Sequence, residues 1–146
     1  LSEGRPFDKL RANGLKVSAK ILDAMLAEAA RAHPRECCGI LLGEADTITA
    51  IAPAANVHAS PESHFEIDPQ ALVDAHRNAR NARSGGLQVL GYYHSHPNGL
   101  ARPSATDEAM ATGQRLIWAI IAAGRVTFWR EGDARFAALP YEACPR

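Results

Sequence analysis

The run LQVLGYYHSHP, residues 87–97, constrains this chain more than any other stretch. Its apolar and aromatic residues read as a strand, and Pro97 ends that strand because proline has no N–H to give to a ladder. Side chains two apart on a strand share a face and lie about 6.6–6.8 Å apart along the backbone. His94 and His96 therefore face one way, Tyr93 and Ser95 the other. Two imidazoles at a strand end that opens to a cleft can converge on one ion, about 2.0–2.1 Å from each nitrogen. Taken alone, such a pair is more often two surface or core histidines than a metal site.

The rest of the chain supplies more short strands with helices between them. In VSAKILDAMLAEAARAHP the apolar stripe Ile21, Leu22, Met25, Leu26, Ala29 and Ala30 marks an amphipathic helix, with Ser18 as N-cap and Pro34 stopping it near His33. ECCGILLGEA and TITAIAPA read as paired strands about a GEAD turn. Residues 56–64 are loop, FEID (65–68) a short strand, and PQALVDAHRNARNAR a second helix with Pro69 near its first position and SGG (84–86) at its end. SATDEAMATGQ opens a short helix. RLIWAIIAA, RVTFWRE and ARFAALPY are three further strand candidates. This order predicts an α/β fold, a mixed central β-sheet flanked by helices.

Sixteen basic and sixteen acidic side chains cancel, so no electrostatic footprint for nucleic acid or an anionic membrane is expected. The local cluster RNARNAR, 77–83, reads as the solvated face of a helix. No apolar run reaches the roughly eighteen residues of a membrane span. Cys37, Cys38 and Cys144 form neither a disulfide framework nor a CxxC knuckle. A reducing, cytoplasmic setting is the expectation. Residues 1–14 read as a flexible leader, 15–141 as one domain, and 142–146 as a C-terminal tail.

Eleven residues beyond His96 comes Asp107, in the first turn of the helix that Ser104 would cap. S-x-x-D is also a capping box, in which Ser104 and Asp107 merely satisfy backbone N–H groups. Two histidines and a carboxylate would leave a tetrahedral zinc one open position, where water would have its pKa lowered toward roughly 7. A carboxylate elsewhere in the chain would then have to move the proton.

HSHPNGLARPSATD, preceded by HPRECCGILLG, resembles the JAMM (MPN-plus) zinc metallopeptidase signature, in its bacterial single-domain form: a Glu, then H-S/T-H-P, then S-x-x-D, with seven residues between His96 and Ser104. The resemblance runs from about Leu15 to Tyr141. It implies the MPN/JAB domain, with cytidine-deaminase-like layering. It further implies one Zn2+ per chain on His94, His96 and Asp107, Glu36 as general base and proton shuttle, and Ser104 as an oxyanion donor. The implied activity is hydrolysis of an amide or isopeptide bond at the C-terminal tail of a ubiquitin-like or sulfur-carrier protein, by a monomer or homodimer.

Two other classes compete. A non-catalytic MPN-type scaffold would lack the ligands, and here every ligand position is filled. A nucleobase deaminase would want cysteine ligands in a PCxxC run, which is absent. Cys37 and Cys38, beside an apolar strand, read as small core residues. Cys144 reads as idle, His58 and His64 as exposed loop residues, His76 as partly exposed, and Trp118 and Trp129 as core packing.

Overall fold

The computed structural model describes residues 14–81 and 87–145. Its strands are β1 (Leu15–Ser18), β2 (Cys38–Glu44), β3 (Thr47–Ala54), β4 (Gln88–Ser95), β5 (Ile117–Ala122), β6 (Arg125–Glu131), β7 (Phe136–Ala138) and β8 (Tyr141–Cys144). Its helices are α1 (Ala19–Ala32), α2 (Pro69–Asn81) and α3 (Ala105–Ala109). The strands form one mixed sheet in the order β7-β6-β5-β4-β2-β3-β1-β8. β4 runs parallel to β5, and β1 runs parallel to both β3 and β8; the remaining neighbours are antiparallel.

The outermost strands, β7 and β8, are joined only by Leu139 and Pro140. The sheet must therefore curl until its two margins nearly meet. The joining residues stay in the ladder: Leu139 N–H donates to the Phe128 carbonyl, and the Pro140 carbonyl accepts from Leu15 N–H, each at 2.9 Å.

α1 begins where expected, with Ser18 Oγ accepting from Lys20 N–H at 3.2 Å, and ends at the His33 cap. Its apolar stripe packs into one face of the sheet, against Val17, Leu41, Ile48, Tyr93, Ala119, Ile121 and Phe128. Met25, fully buried at the centre of that contact, is a side chain of the kind whose burial stabilises by about 1.5–3 kcal/mol. The opposite face carries Cys38, Ile40, Phe65, Ile67 and Trp118 under Ala71, Leu72 and Ala75 of α2. Gly91 permits the closest strand approach in the middle of the sheet, since a Cβ there would collide with the Ile117 carbonyl.

Three expectations are revised. FEID makes only an isolated bridge, Asn56 to Ile67, because the loop beside it offers no continuous partner. ARFAALPY divides into β7 and the start of β8 at Leu139–Pro140, and Glu142 to Cys144, read as tail, pair with β1. Val17, read with the helix, lies instead in a strand, Leu15–Ser18. Arg77 and Arg80 are exposed on α2, as a solvated face requires. Residues 1–13, Arg83 and SGG at 84–86 lie outside the described residues. Among those described, no helix is long and apolar enough to cross a membrane.

Candidate metal centre

β4 delivers His94, fully buried, at the end of the sheet where α1 also ends. His96 lies one residue past the strand, with its N–H bonded to the Ile121 carbonyl at 2.9 Å. The chain then turns through Pro97–Asn98, and Gly99 adopts φ 83°, a left-handed conformation costly for other residues. That turn aims the Leu100 carbonyl back at His96 Nδ1, 2.7 Å away. The Nδ1 proton is thereby fixed, which leaves Nε2 as the nitrogen turned toward the cluster.

Ser104 caps α3 through a reciprocal capping box. Its Oγ accepts from Asp107 N–H, and Asp107 Oδ2 accepts from Ser104 N–H, both at 3.0 Å. The capping and ligand readings of S-x-x-D are thus compatible. The same Asp107 carboxylate reaches His94 Nε2 through Oδ1 at 3.2 Å and His96 Nε2 through Oδ2 at 3.0 Å. The two Nε2 atoms are 3.0 Å apart. Ligands at about 2.0–2.1 Å in a tetrahedron lie roughly 3.3–3.4 Å from one another. The observed spacings are a few tenths of an ångström tighter than this and close enough to open onto a three-ligand pocket, and two imidazoles with one carboxylate are the donor chemistry zinc accepts. Among the described residues, His94, His96 and Asp107 form the one cluster of this kind.

Without a metal the two histidines differ: burial opposes a charge on His96, but its bonds to Asp107 and the Leu100 carbonyl outweigh that and raise its pKa. Burial pushes the Asp107 carboxyl up, but bonds from His94, His96 and Ser104 N–H outweigh it and hold the group well below the usual carboxylate range. Burial lowers the His94 pKa, which keeps that imidazole neutral and able to ligate. Glu36, 7% exposed just before β2, has its carboxyl pushed up to about 7, by burial first, with the His96 charge opposing and the Asp107 charge adding. Its backbone is pinned on both sides: Glu36 N–H donates to the Pro61 carbonyl at 2.7 Å, and its own carbonyl accepts from Asn56 Nδ2 at 3.0 Å. The register pairing Cys38 with His94 brings the start of β2 alongside the strand that carries His94.

Sequence reasoning passed over Asn56, which also bonds the His64 carbonyl and the N–H groups of His58 and Glu66 and so organises the loop beside Glu36. It also passed over Glu131, buried at 1% exposure and bonded to the Trp118 indole. An asparagine in a loop and a glutamate at a strand end carry no signal of their own. Cys37 and Cys38 are core residues whose thiols burial pushes up to about 11 and about 12. His58 and His64 stack on each other, 4.7 Å between ring centres, outside the cluster. His76 is exposed on α2. Trp118 is a core residue, and Trp129 is half-buried.

Residues 18–132 match the family model described as prokaryotic homologs of the JAB domain. Desampylase from Haloferax volcanii is 36% identical over 120 residues, which span 77% of this chain and 84% of that protein. Tail tip assembly protein K of Escherichia phage N15 is 33% identical over 116 residues, covering 80% of this chain but 42% of its own length. CysO-cysteine peptidase from Mycobacterium tuberculosis is 33% identical over 100 residues, 67% of this chain and 66% of that one. Among solved structures, a solution structure from Desulfitobacterium hafniense gives a TM-score of 0.78 at 28% identity over 90% of this chain and 94% of that one. A JAB1/MPN domain protein from Archaeoglobus fulgidus gives 0.58 at 20% identity, covering 87% and 98%, a likeness of fold.

Proposed function

The chain belongs to the family of prokaryotic JAB-domain homologues, and on that premise we propose that it is a zinc-dependent peptidase of the JAMM type. Its substrate would be an amide bond at the C-terminal tail of a ubiquitin-like or sulfur-carrier protein in the cytoplasm. One observation carries the reading: the donor atoms of His94, His96 and Asp107 lie within 4.8 Å of one another in a buried pocket. Zinc, when bound, supplies a Lewis acid that polarises a carbonyl and makes water a nucleophile near neutral pH.

The side chains divide the remaining work. His94, His96 and Asp107 hold the ion. Glu36, with a carboxyl near pH 7, takes a proton from the attacking water and returns it to the departing nitrogen; a group poised near the working pH does both well. Ser104 Oγ already accepts from Asp107 N–H, so its own O–H remains to donate to the oxygen on which negative charge develops. The substrate class follows the relatives named for desampylation and for CysO-cysteine cleavage.

The test is incubation of the zinc-loaded chain with ubiquitin-like carriers bearing C-terminal extensions, read by mass spectrometry. The expected product is the carrier trimmed at the end of its tail, lost on chelation and restored by zinc. Cleavage that survives complete chelation would refute the mechanism. The likeness to a tail tip assembly protein favours a second reading, a domain serving within an assembly rather than as a free peptidase. Intact carriers after incubation with verified zinc-loaded chain would favour that reading.

A further inference from the structure

We infer that Glu131 is a positioning residue for the metal centre, fixing Trp118 against the ring of His94 and Thr112 behind the helix that carries Asp107. The inference rests on His94, His96 and Asp107 being metal ligands. It begins from a difference between the two histidines.

A metal-binding imidazole is ordinarily oriented by a hydrogen bond at its second nitrogen. His96 has one, to the Leu100 carbonyl. His94 Nδ1 is buried and has no such partner. What touches the His94 ring instead is aromatic. Phe65 stacks on it with ring centres 4.3 Å apart and planes 18° apart, and Trp118 meets it edge-on at 5.7 Å and 88°. His94 is therefore oriented by the shape of a slot, and a slot orients only if its walls are fixed.

Glu131 on β6 fixes one wall. Its Oε2 accepts from Trp118 Nε1–H at 2.7 Å. The same carboxylate accepts from Thr112 N–H at 3.1 Å and Thr112 Oγ1–H at 2.8 Å. Thr112 follows the Met110 cap of α3, so one anion ties the indole behind His94 to the exit of the Asp107 helix. Glu131 is 1% exposed, and a carboxylate in that position is costly unless its lone pairs are satisfied. Burial pushes its carboxyl up, and the bonds from Trp118 and Thr112 more than reverse this, so it is held ionised. It lies outside the donor cluster and has no step in hydrolysis. Its action on the centre runs through the two residues it holds.

The test measures zinc affinity of the full chain by chelator competition, together with the visible spectrum of the Co2+-loaded form. The variants are Glu131→Gln and Phe65→Leu, with Tyr93→Phe as control. Tyr93 donates to Glu28 Oε1 at 2.6 Å on the opposite face of the sheet, so its loss disturbs a part-buried bond that involves neither the His94 slot nor Asp107. Glu131→Gln and Phe65→Leu are expected to weaken zinc binding by about 10–100-fold, the usual effect of removing an outer-shell support, and to shift the Co2+ bands. Tyr93→Phe is expected to lower the melting temperature while leaving affinity and spectrum unchanged. Wild-type affinity and spectrum in Glu131→Gln and Phe65→Leu overturn the proposal, as does equal weakening in Tyr93→Phe. Should Glu131→Gln fail to fold, Thr112→Val carries the test, since it removes one donor from an exposed position; an unchanged spectrum there overturns the proposal. A wild-type chain that binds neither metal removes the ligand set itself. Wild-type binding with unaffected variants removes only the role of Glu131.

Discussion

Replacing Ser104 by alanine separates two roles that the structure superimposes on one hydroxyl. The capping loss can be sized from the geometry. Ser104→Ala removes the bond from Asp107 N–H to Oγ, but the reciprocal bond from Ser104 N–H to Asp107 Oδ2 is backbone-donated and survives. The cost therefore falls toward the lower end of the N-cap range, about 0.5–1 kcal/mol. For a chain of this length that lowers the melting temperature by roughly 2–4 °C. Domains are stable by about 5–15 kcal/mol, so the folded fraction at assay temperature is essentially unchanged. An oxyanion donor is another matter, because losing one costs about 10²–10³ in kcat. The assay is kcat and KM for trimming a tailed carrier, with zinc content and melting temperature measured on the same preparation. A fall in kcat of that size, at full zinc and with the small shift in melting, is the expected result. Wild-type kcat with the shift would refute the reasoning and leave Ser104 as a helix cap. Loss of zinc in step with loss of rate would also refute it, by routing the effect through Asp107.

Glu36→Gln should keep zinc and lose turnover, and its metal-free form carries a pH signature. The Glu36 carboxyl is raised from 4.5 to about 7 in the native chain, so the folded state binds that proton more tightly. Its contribution to stability is full below about 4.5 and lost as pH rises through about 7. Metal-free Glu36→Gln should accordingly melt above metal-free wild type at pH 8, with the gap closing toward pH 4; a constant gap across that range argues against the shift. Among the cysteines, Cys37 and Cys38 are buried with thiols raised to about 11 and about 12, while Cys144 is half-exposed. A thiol reagent at pH 8 should modify Cys144 quickly and the other two only on denaturation, as peptide mapping would show. Gly91→Ala should lower the denaturation midpoint by an amount worth about 1–3 kcal/mol or more, since the added methyl meets the Ile117 backbone; an unchanged midpoint would mean the strands can separate there at no cost.

Much of the site could be read in the chain because its parts are local. His94, His96 and Pro97 belong to one strand end, and Ser104 and Asp107 to one helical turn, so spacing alone implies their geometry. Glu36 emerged only through the family resemblance. Its place beside His94 depends on the antiparallel register of β2 with β4, and nothing near residue 36 encodes that. The same reason hid β1 and β8. Four residues of LKVS and four of YEAC have too short a pattern to declare themselves, and they become strands by pairing in parallel across most of the chain length. FEID failed in the opposite sense: its alternation satisfied the local pattern for a strand, yet Phe65 and Ile67 are buried by packing under α2 without a ladder. Glu131 is the last residue of the strand candidate RVTFWRE, and only the fold turns it inward toward Trp118.

The two-residue link between Ala138 and Tyr141 gives the domain a clasp. A break between Leu139 and Pro140 would loosen both rims of the curled sheet together, whereas a nick in the bend at Gly132–Arg135 would loosen only one. Resistance to proteolysis should therefore be judged at that clasp before any other loop.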